Sequence, residues 1–291
     1  MNTIYSTALL LILQLATLCT IAQNRPPQNV RRVIVTSKYE FVNGKRTVNS
    51  RAIKQEIKDS LDRVHTILYR DYETQLISRH IWHTFEGKQI VRTDEFANEK
   101  LFRFSLFSYT PDSLISRQEV FMATPADTNH YATLIYKYQN RLPVKVKALN
   151  GKGKQIYVTK SKFDANGTEI ERKVIAKNGF SPIDSVMNLI CKPAYDSLNR
   201  KVAESWTKTY FDGKKETKQY RYQYNPKGLL TIIEELSADG SPITRKTLEY
   251  NEKNMLKFIS LYNAEGTLID YQAIRYELYP TLNRHNRIIE Y

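Results

Sequence analysis

Polar and apolar residues alternate with a period of two over long stretches of the chain. In Lys218-Gln219-Tyr220-Arg221-Tyr222-Gln223-Tyr224 the tyrosines fall on one face of a strand, and Gln219, Arg221 and Gln223 fall on the other. Successive side chains of a strand point to opposite faces, so this pattern reads as a half-buried strand. Leu142, Val144 and Val146 alternate in the same way with Lys145 and Lys147. Glycine punctuates the pattern. Eight of the ten glycines follow Asn, Asp or Glu, as in Asn150-Gly151, Asn166-Gly167, Asp212-Gly213 and Asp239-Gly240. Such pairs suit the type I′ hairpin turn, in which both central residues take positive φ. The chain therefore predicts an array of β-hairpins.

One segment follows a different rhythm. Ile53, Ile57, Leu61, Val64 and Leu68 recur at helical spacing behind Ser50, a residue type that caps helices. Strands or one helix near 51–68 both satisfy this pattern. Val33 to Phe41, Asn43-Gly44 and Arg46 to Val48 read as a first hairpin, and Leu101 to Tyr109 and His130 to Tyr138 read as strands. Pro125-Ala126-Asp127 marks a loop.

The C-terminal half repeats. Its units start at Tyr138, Phe163, Tyr195, Tyr224 and Tyr250, at spacings of 25, 32, 29 and 26 residues. A second turn lies between successive starts, so each unit is strand, turn, strand, turn, and such a period marks a repeat architecture. Tyr222-Gln223-Tyr224-Asn225-Pro226-Lys227-Gly228-Leu229 and Tyr195-Asp196-Ser197-Leu198-Asn199-Arg200 carry the unit most clearly. At these residues the chain resembles the RHS/YD-repeat family, whose unit runs Tyr-x-Tyr-Asp-x-x-Gly-Arg-Leu. Asn225 stands where the family has Asp, and Asn199 where it has Gly. The resemblance covers about 138–279 and implies long antiparallel sheets. The chain is too short to enclose a toxin and shows no self-cleaving peptidase core, so the resemblance implies a sheet and no toxin function. Asp59-Ser60-Leu61 and Asp112-Ser113-Leu114 echo Asp196-Ser197-Leu198, which extends diverged repeats forward.

The fold class expected is mainly β: an extended, twisted antiparallel sheet of YD-like β-hairpin repeats. The expected organisation is a signal peptide over 1–22, an irregular β-rich region over 23–127, and a repeat region over 128–291. Ala8 to Ala22 is apolar, too short for a comfortable membrane span, and ends in Thr20-Ile21-Ala22 before Gln23, a small-x-small cleavage pattern. Cys19 follows Leu18, where lipidation expects a small residue. With Cys19 removed, Cys191 is the one cysteine of the mature chain, and no internal disulfide can form.

The formal net charge is +14, from 44 Lys and Arg against 30 Asp and Glu. That balance favours phosphates, anionic lipid heads or acidic glycans as partners. The simpler reading, and the one preferred, is that lysines and arginines line the solvent face and edges of a large sheet. No polybasic run or basic stripe stands out along the chain.

Chemistry is sparse. His80 and His83 are the one close histidine pair, and on a strand their side chains point to opposite faces. Cys191 sits in the apolar run Leu189-Ile190-Cys191, beside Lys192, and reads as an inert buried thiol. Glu234-Glu235 alternates across a strand and reads as surface charge. No phosphate loop, dinucleotide fingerprint or nucleophile elbow is present. The sequence therefore predicts no catalytic residue, metal or cofactor. Tyr220, Tyr222 and Tyr224 form the candidate aromatic recognition face, although tyrosines so placed also serve sheet packing. The expected role is binding or scaffolding at a bacterial envelope, secreted or periplasmic. Its partner would be an envelope protein, a glycan or a lipid, with peripheral membrane contact and no nucleic acid. Two alternatives remain: a lipid or lipoprotein carrier with a curved half-barrel sheet, and a glycan-active enzyme.

Overall fold

A computed structural model describes residues 30–42, 45–124, 127–177 and 186–278. The apolar run over 1–22 with Cys19, the turns Asn43-Gly44 and Asn178-Gly179, the Pro125-Ala126 loop and His285 lie outside the described residues. Every regular element among the described residues is a strand. The first nine are β1 (Val30–Val42), β2 (Lys45–Asp59), β3 (Val64–Arg70), β4 (Ile77–Glu86), β5 (Gln89–Ala97), β6 (Lys100–Tyr109), β7 (Ile115–Ala123), β8 (Thr128–Gln139) and β9 (Leu142–Asn150). The second nine are β10 (Gln155–Phe163), β11 (Glu169–Ala176), β12 (Val186–Tyr195), β13 (Lys201–Tyr210), β14 (Lys215–Tyr224), β15 (Leu230–Leu236), β16 (Pro242–Tyr250), β17 (Leu256–Asn263) and β18 (Leu268–Leu278).

The sheet is closed, not open and extended as the repeats led one to expect. Each strand pairs antiparallel with the next, and β1 pairs with both β2 (Val33↔Ile57) and β18 (Val35↔Arg275). The result is one 18-stranded antiparallel barrel. Closure removes the two raw edges that an open sheet of this length would expose. The ring runs unbroken through the predicted boundary near 127, where β7 pairs with β8.

The segment 51–68 is not a helix. It is the end of β2, a turn and the start of β3, with Lys54↔Tyr69 and Ile57↔Thr66 paired. The helical spacing fails at Leu61, which sits exposed in the turn. The Asp59 carboxylate closes that turn by accepting the backbone N–H groups of Leu61 (2.8 Å) and Arg63 (3.0 Å).

The commonest turn also differs from the type I′ expected. In Asp164–Thr168, Gly167 N–H bonds to the Asp164 carbonyl, and Asp164 N–H bonds to the Thr168 carbonyl. Only Gly167 takes positive φ (78°). This is a three-residue loop, a type I turn followed by a left-handed residue. The same pair of bonds closes Asp59–Arg63, Asp196–Arg200, Asn225–Leu229 and Asn251–Met255. The turns with two positive-φ residues and a two-residue loop are Asn98-Glu99 and Asn140-Arg141, and neither contains glycine.

The two halves of the Tyr-Asp pair have separate tasks. The Asp or Asn side chain caps the loop from its first position: Asp196 accepts Leu198 N–H and Arg200 N–H, and Asn251 accepts Lys253 N–H and Met255 N–H, all near 3.0 Å. The tyrosine just before it ties the end of its strand to the start of the preceding strand. Tyr224 donates to the Lys201 carbonyl (2.9 Å), and Tyr250 to the Leu230 carbonyl (2.7 Å). Tyr276, Tyr138 and Tyr109 make the same bond to Leu256, Ile115 and Ile90. These tyrosines sit at the ends of even-numbered strands, so they mark one rim of the barrel. The pattern thus extends forward to β6. Asp59 fills the capping role of Asp196, whereas Asp112 does not, because Thr110 opens its loop.

No large side chain among the described residues is fully buried. Among these residues the packing lies within the wall. Neither face of the wall is an unbroken apolar band. Arg103, Glu204 and Lys218 interrupt one face in mid-strand, and Arg92, Lys145, Arg221 and Arg245 interrupt the other. An Arg or Lys facing the middle of a bilayer costs about 2–4 kcal/mol.

Candidate functional site

A hollow of about 720 Å³ is cut into one face of β8 to β12. Its floor is made by small residues. Ala148 is fully buried (0% exposed), and Ala132 is buried beside it. Ala148 lies opposite Leu134 and Tyr157, and Val146 lies opposite Tyr136 and Thr159. Alanine among larger neighbours leaves the space, and Tyr136 and Tyr157 stand on either side of it. Tyr131 is the extra residue of a β-bulge, between the pairs Val120↔Ala132 and Phe121↔His130. Bulges re-aim side chains, and Tyr131 reaches the mouth of the hollow.

The walls are apolar apart from a few groups. Burial pushes the phenols of Tyr136 and Tyr157 up from their ordinary value. Tyr136 donates to Gln118 Oε1 at 3.1 Å. Arg172 and Glu169 close one end as an ion pair, with Arg172 Nε 3.0 Å from Glu169 Oε1. At the adjacent rim the backbone is tight: a Cβ on Gly151 would collide with the His130 carbonyl oxygen. The shape is that of an elongated apolar cleft with a charged end. Its volume lies within the usual range for small-molecule sites, about 300–1,000 Å³.

A second, smaller hollow of about 260 Å³ is lined by Glu204, Trp206, Lys208, Lys218, Tyr220 and Tyr222. Here the predicted tyrosine face appears. Tyr222 is opposite Ile233, and Tyr220 lies between Glu204 and Glu235. Tyr222 donates to Glu204 Oε1, and Tyr224 is spent on the rim bond to Lys201. Glu204 is 6% exposed. Burial alone would raise its pKa, but Lys201 Nζ at 2.7 Å and the Tyr222 hydroxyl more than offset this and hold it below the ordinary value. The buried Trp206 indole N–H also favours the Glu204 carboxylate.

The remaining sequence candidates are dispersed. Cys191 lies opposite Trp206, with Sγ 3.7 Å from Glu204 Oε2. Burial and the Glu204 charge push its thiol up to about 11. Lys192 is exposed on the opposite face and does not reach it. His80 stacks on Phe96 at 5.2 Å, while His83 turns to the other face and bonds Thr93 Oγ1 at 2.9 Å. Burial lowers the pKa of both. Glu235 pairs with Lys218 (2.9 Å) and Glu234 with Arg221 (3.6 Å), on opposite faces of β15. Sequence reasoning missed the β8–β12 cleft. Its trace was the pair Ala132 and Ala148 among aromatic neighbours, a signal that appears only when the strands are in register.

No protein-family model matches the sequence, and no curated protein matches it. Solved structures similar to the chain include a porin-like protein from Bacteroides uniformis, with 6% identity and TM-score 0.41 over 86% of this chain and 98% of that one. A porin-like protein from Bacteroides vulgatus gives 9% identity and TM-score 0.33 over 85% of this chain and 98% of that one. TcdB2-TccC3 gives 11% identity and TM-score 0.28 over 81% of this chain, which spans 19% of its length.

Proposed function

We propose that this barrel is a non-enzymatic envelope protein that binds an elongated apolar ligand of the lipid class in the β8–β12 cleft. The observation that carries the reading is the cleft itself: alanine-floored, tyrosine-walled and closed at one end by Arg172–Glu169. Burying a chain against such a wall contributes about 25 cal/mol per Å² of apolar surface. An acidic head group would meet Arg172. Placement at the envelope rests on the apolar N-terminal run and its cleavage pattern. The non-catalytic part of the reading is supported by Cys191, whose thiol stays protonated, and by Glu204, whose oxygens are already engaged.

The test is binding of cis-parinaric acid, followed by its fluorescence. Thr159 stands on the cleft wall and is half-buried. Thr159→Trp should fill the cleft and reduce binding at least tenfold while the melting temperature stays within a few degrees. Equal binding by the folded variant, or no binding by either protein, would overturn the lipid reading.

A further inference from the structure

The face of β8–β12 opposite the cleft carries a row of lysines. Lys137 pairs with Lys145, Lys145 with Lys160, and Lys160 with Lys173, in four successive strands. Directly opposed like charges destabilise a sheet. Lys147 lies two residues along β9 and Lys162 two residues along β10, on the same face, and Lys192 shares it on β12. Glu171 is the one acid of this face among the paired residues of these strands, and it engages Lys162 at 2.7 Å. The other six have no ion-pair partner among the described residues. On other strands several cations meet carboxylates: Arg79 and Arg103 with Glu95, Lys201 with Glu204, Lys218 with Glu235.

We infer that this lysine face docks on an anionic phospholipid surface. Charge complementarity names the sign of the partner. The outline names its shape. At about 4.8 Å between strands, the patch is about 19 Å wide, and it also extends along the strands, so it is a two-dimensional array and not a single track for a linear polyanion. All its cations are lysines, point charges that answer a diffuse field without demanding fixed geometry. Ile190, 40% exposed on the same face, supplies an apolar contact at its edge. Each lysine near an anionic membrane adds about 1 kcal/mol, which salt screens. The inference is independent of the cleft, which opens on the other face.

The experiment is flotation with vesicles of phosphatidylcholine containing about one-third phosphatidylglycerol, against phosphatidylcholine alone. The protein should float with the first and not the second, and release as salt rises. Lys145→Glu with Lys173→Glu, which makes the row alternate in sign, should weaken this at least tenfold. Lys227→Glu with Lys253→Glu, at exposed turn tips off the patch, makes the same change in net charge and should retain most binding. The first variant should also melt at least as high as the parent, because it relieves the repelling row, which separates lost binding from lost fold. Equal losses in both variants would reduce the effect to net charge and overturn the inference. So would equal binding to neutral vesicles. Retention on heparin that the first variant abolishes, with no vesicle binding by the parent, would assign the face to a soluble polyanion instead.

Discussion

Two stretches of the same wall treat charge in opposite ways. On β13–β15 three cations have an acid in reach: Lys201 with Glu204, Lys218 with Glu235, Arg221 with Glu234. On β8–β12 four lysines face one another, and on that face Lys162 alone pairs with an acid, Glu171. Backbone geometry is the same in both, since each is an unexceptional antiparallel ladder. The difference separates charges that hold the barrel together from charges that the barrel holds out. A paired, buried carboxylate is part of the structure. A row of unpaired lysines is a cost in the free protein, and that cost is recovered only on meeting a partner.

The largest effect should come from the paired wall. Glu204→Ala strands Lys201 and the Tyr222 hydroxyl, and breaking such a buried pair costs about 3 kcal/mol or more. Urea denaturation measures it; a loss no larger than that of an ordinary surface change, about 0.5 kcal/mol, would erase the contrast between the two walls.

An intermediate effect tests pairing elsewhere in the ring. Burial would raise the Asp59 pKa, but the Arg63 guanidinium, His65 at 3.0 Å and the turn N–H groups bring it from 3.8 down to about 2. The folded-state pKa is depressed, so the stabilisation is complete above the unfolded value and is lost as pH falls from about 4 to about 2. The stability lost across that window should be about 1–2 kcal/mol. Asp59→Asn keeps a capping oxygen but should flatten this part of the acid profile. An identical profile in the variant would place the acid sensitivity in other carboxylates.

The smallest effect has the opposite sign. Lys145 stands between Lys137 and Lys160, so Lys145→Gln should raise stability by about 0.2–0.5 kcal/mol, and more at low salt. Thermal melts at two ionic strengths decide it. Destabilisation would mean that the row has a structural partner.

Much of the local structure was legible. The alternation at 218–224 and 142–147 placed tyrosines and lysines on the correct faces, because period-two patterning is a property of single strands. The turns were located by their Asn, Asp and Gly residues but not typed, since a left-handed position after a type I turn selects the same residues as a type I′ turn. Asn98-Glu99 escaped for the converse reason, since it takes positive φ at both positions without glycine, and Asn140-Arg141, of the same kind, was found only through the repeat unit that starts at Tyr138. The helical spacing at 53–68 arose from two strands read as one segment. Closure, the cleft and the lysine row were illegible. Each depends on which residues of different strands stand opposite one another. Lys137, Lys145, Lys160 and Lys173 are 8, 15 and 13 residues apart in the chain, so no local window contains a basic stripe.

The joint between β1 and β18 also governs when the protein can become itself. Hairpins from β2 to β17 can zip locally as the chain emerges, each needing only a short loop. The last ladder joins residues near 35 to residues near 275, so it waits for almost the whole described chain and bears the largest loop-closure cost. Until then β1 and the growing end are both unpaired strand edges, and each is a template for another copy. Ring closure is thus the step at which a strip able to extend by adding neighbours becomes an object with no place left to add one.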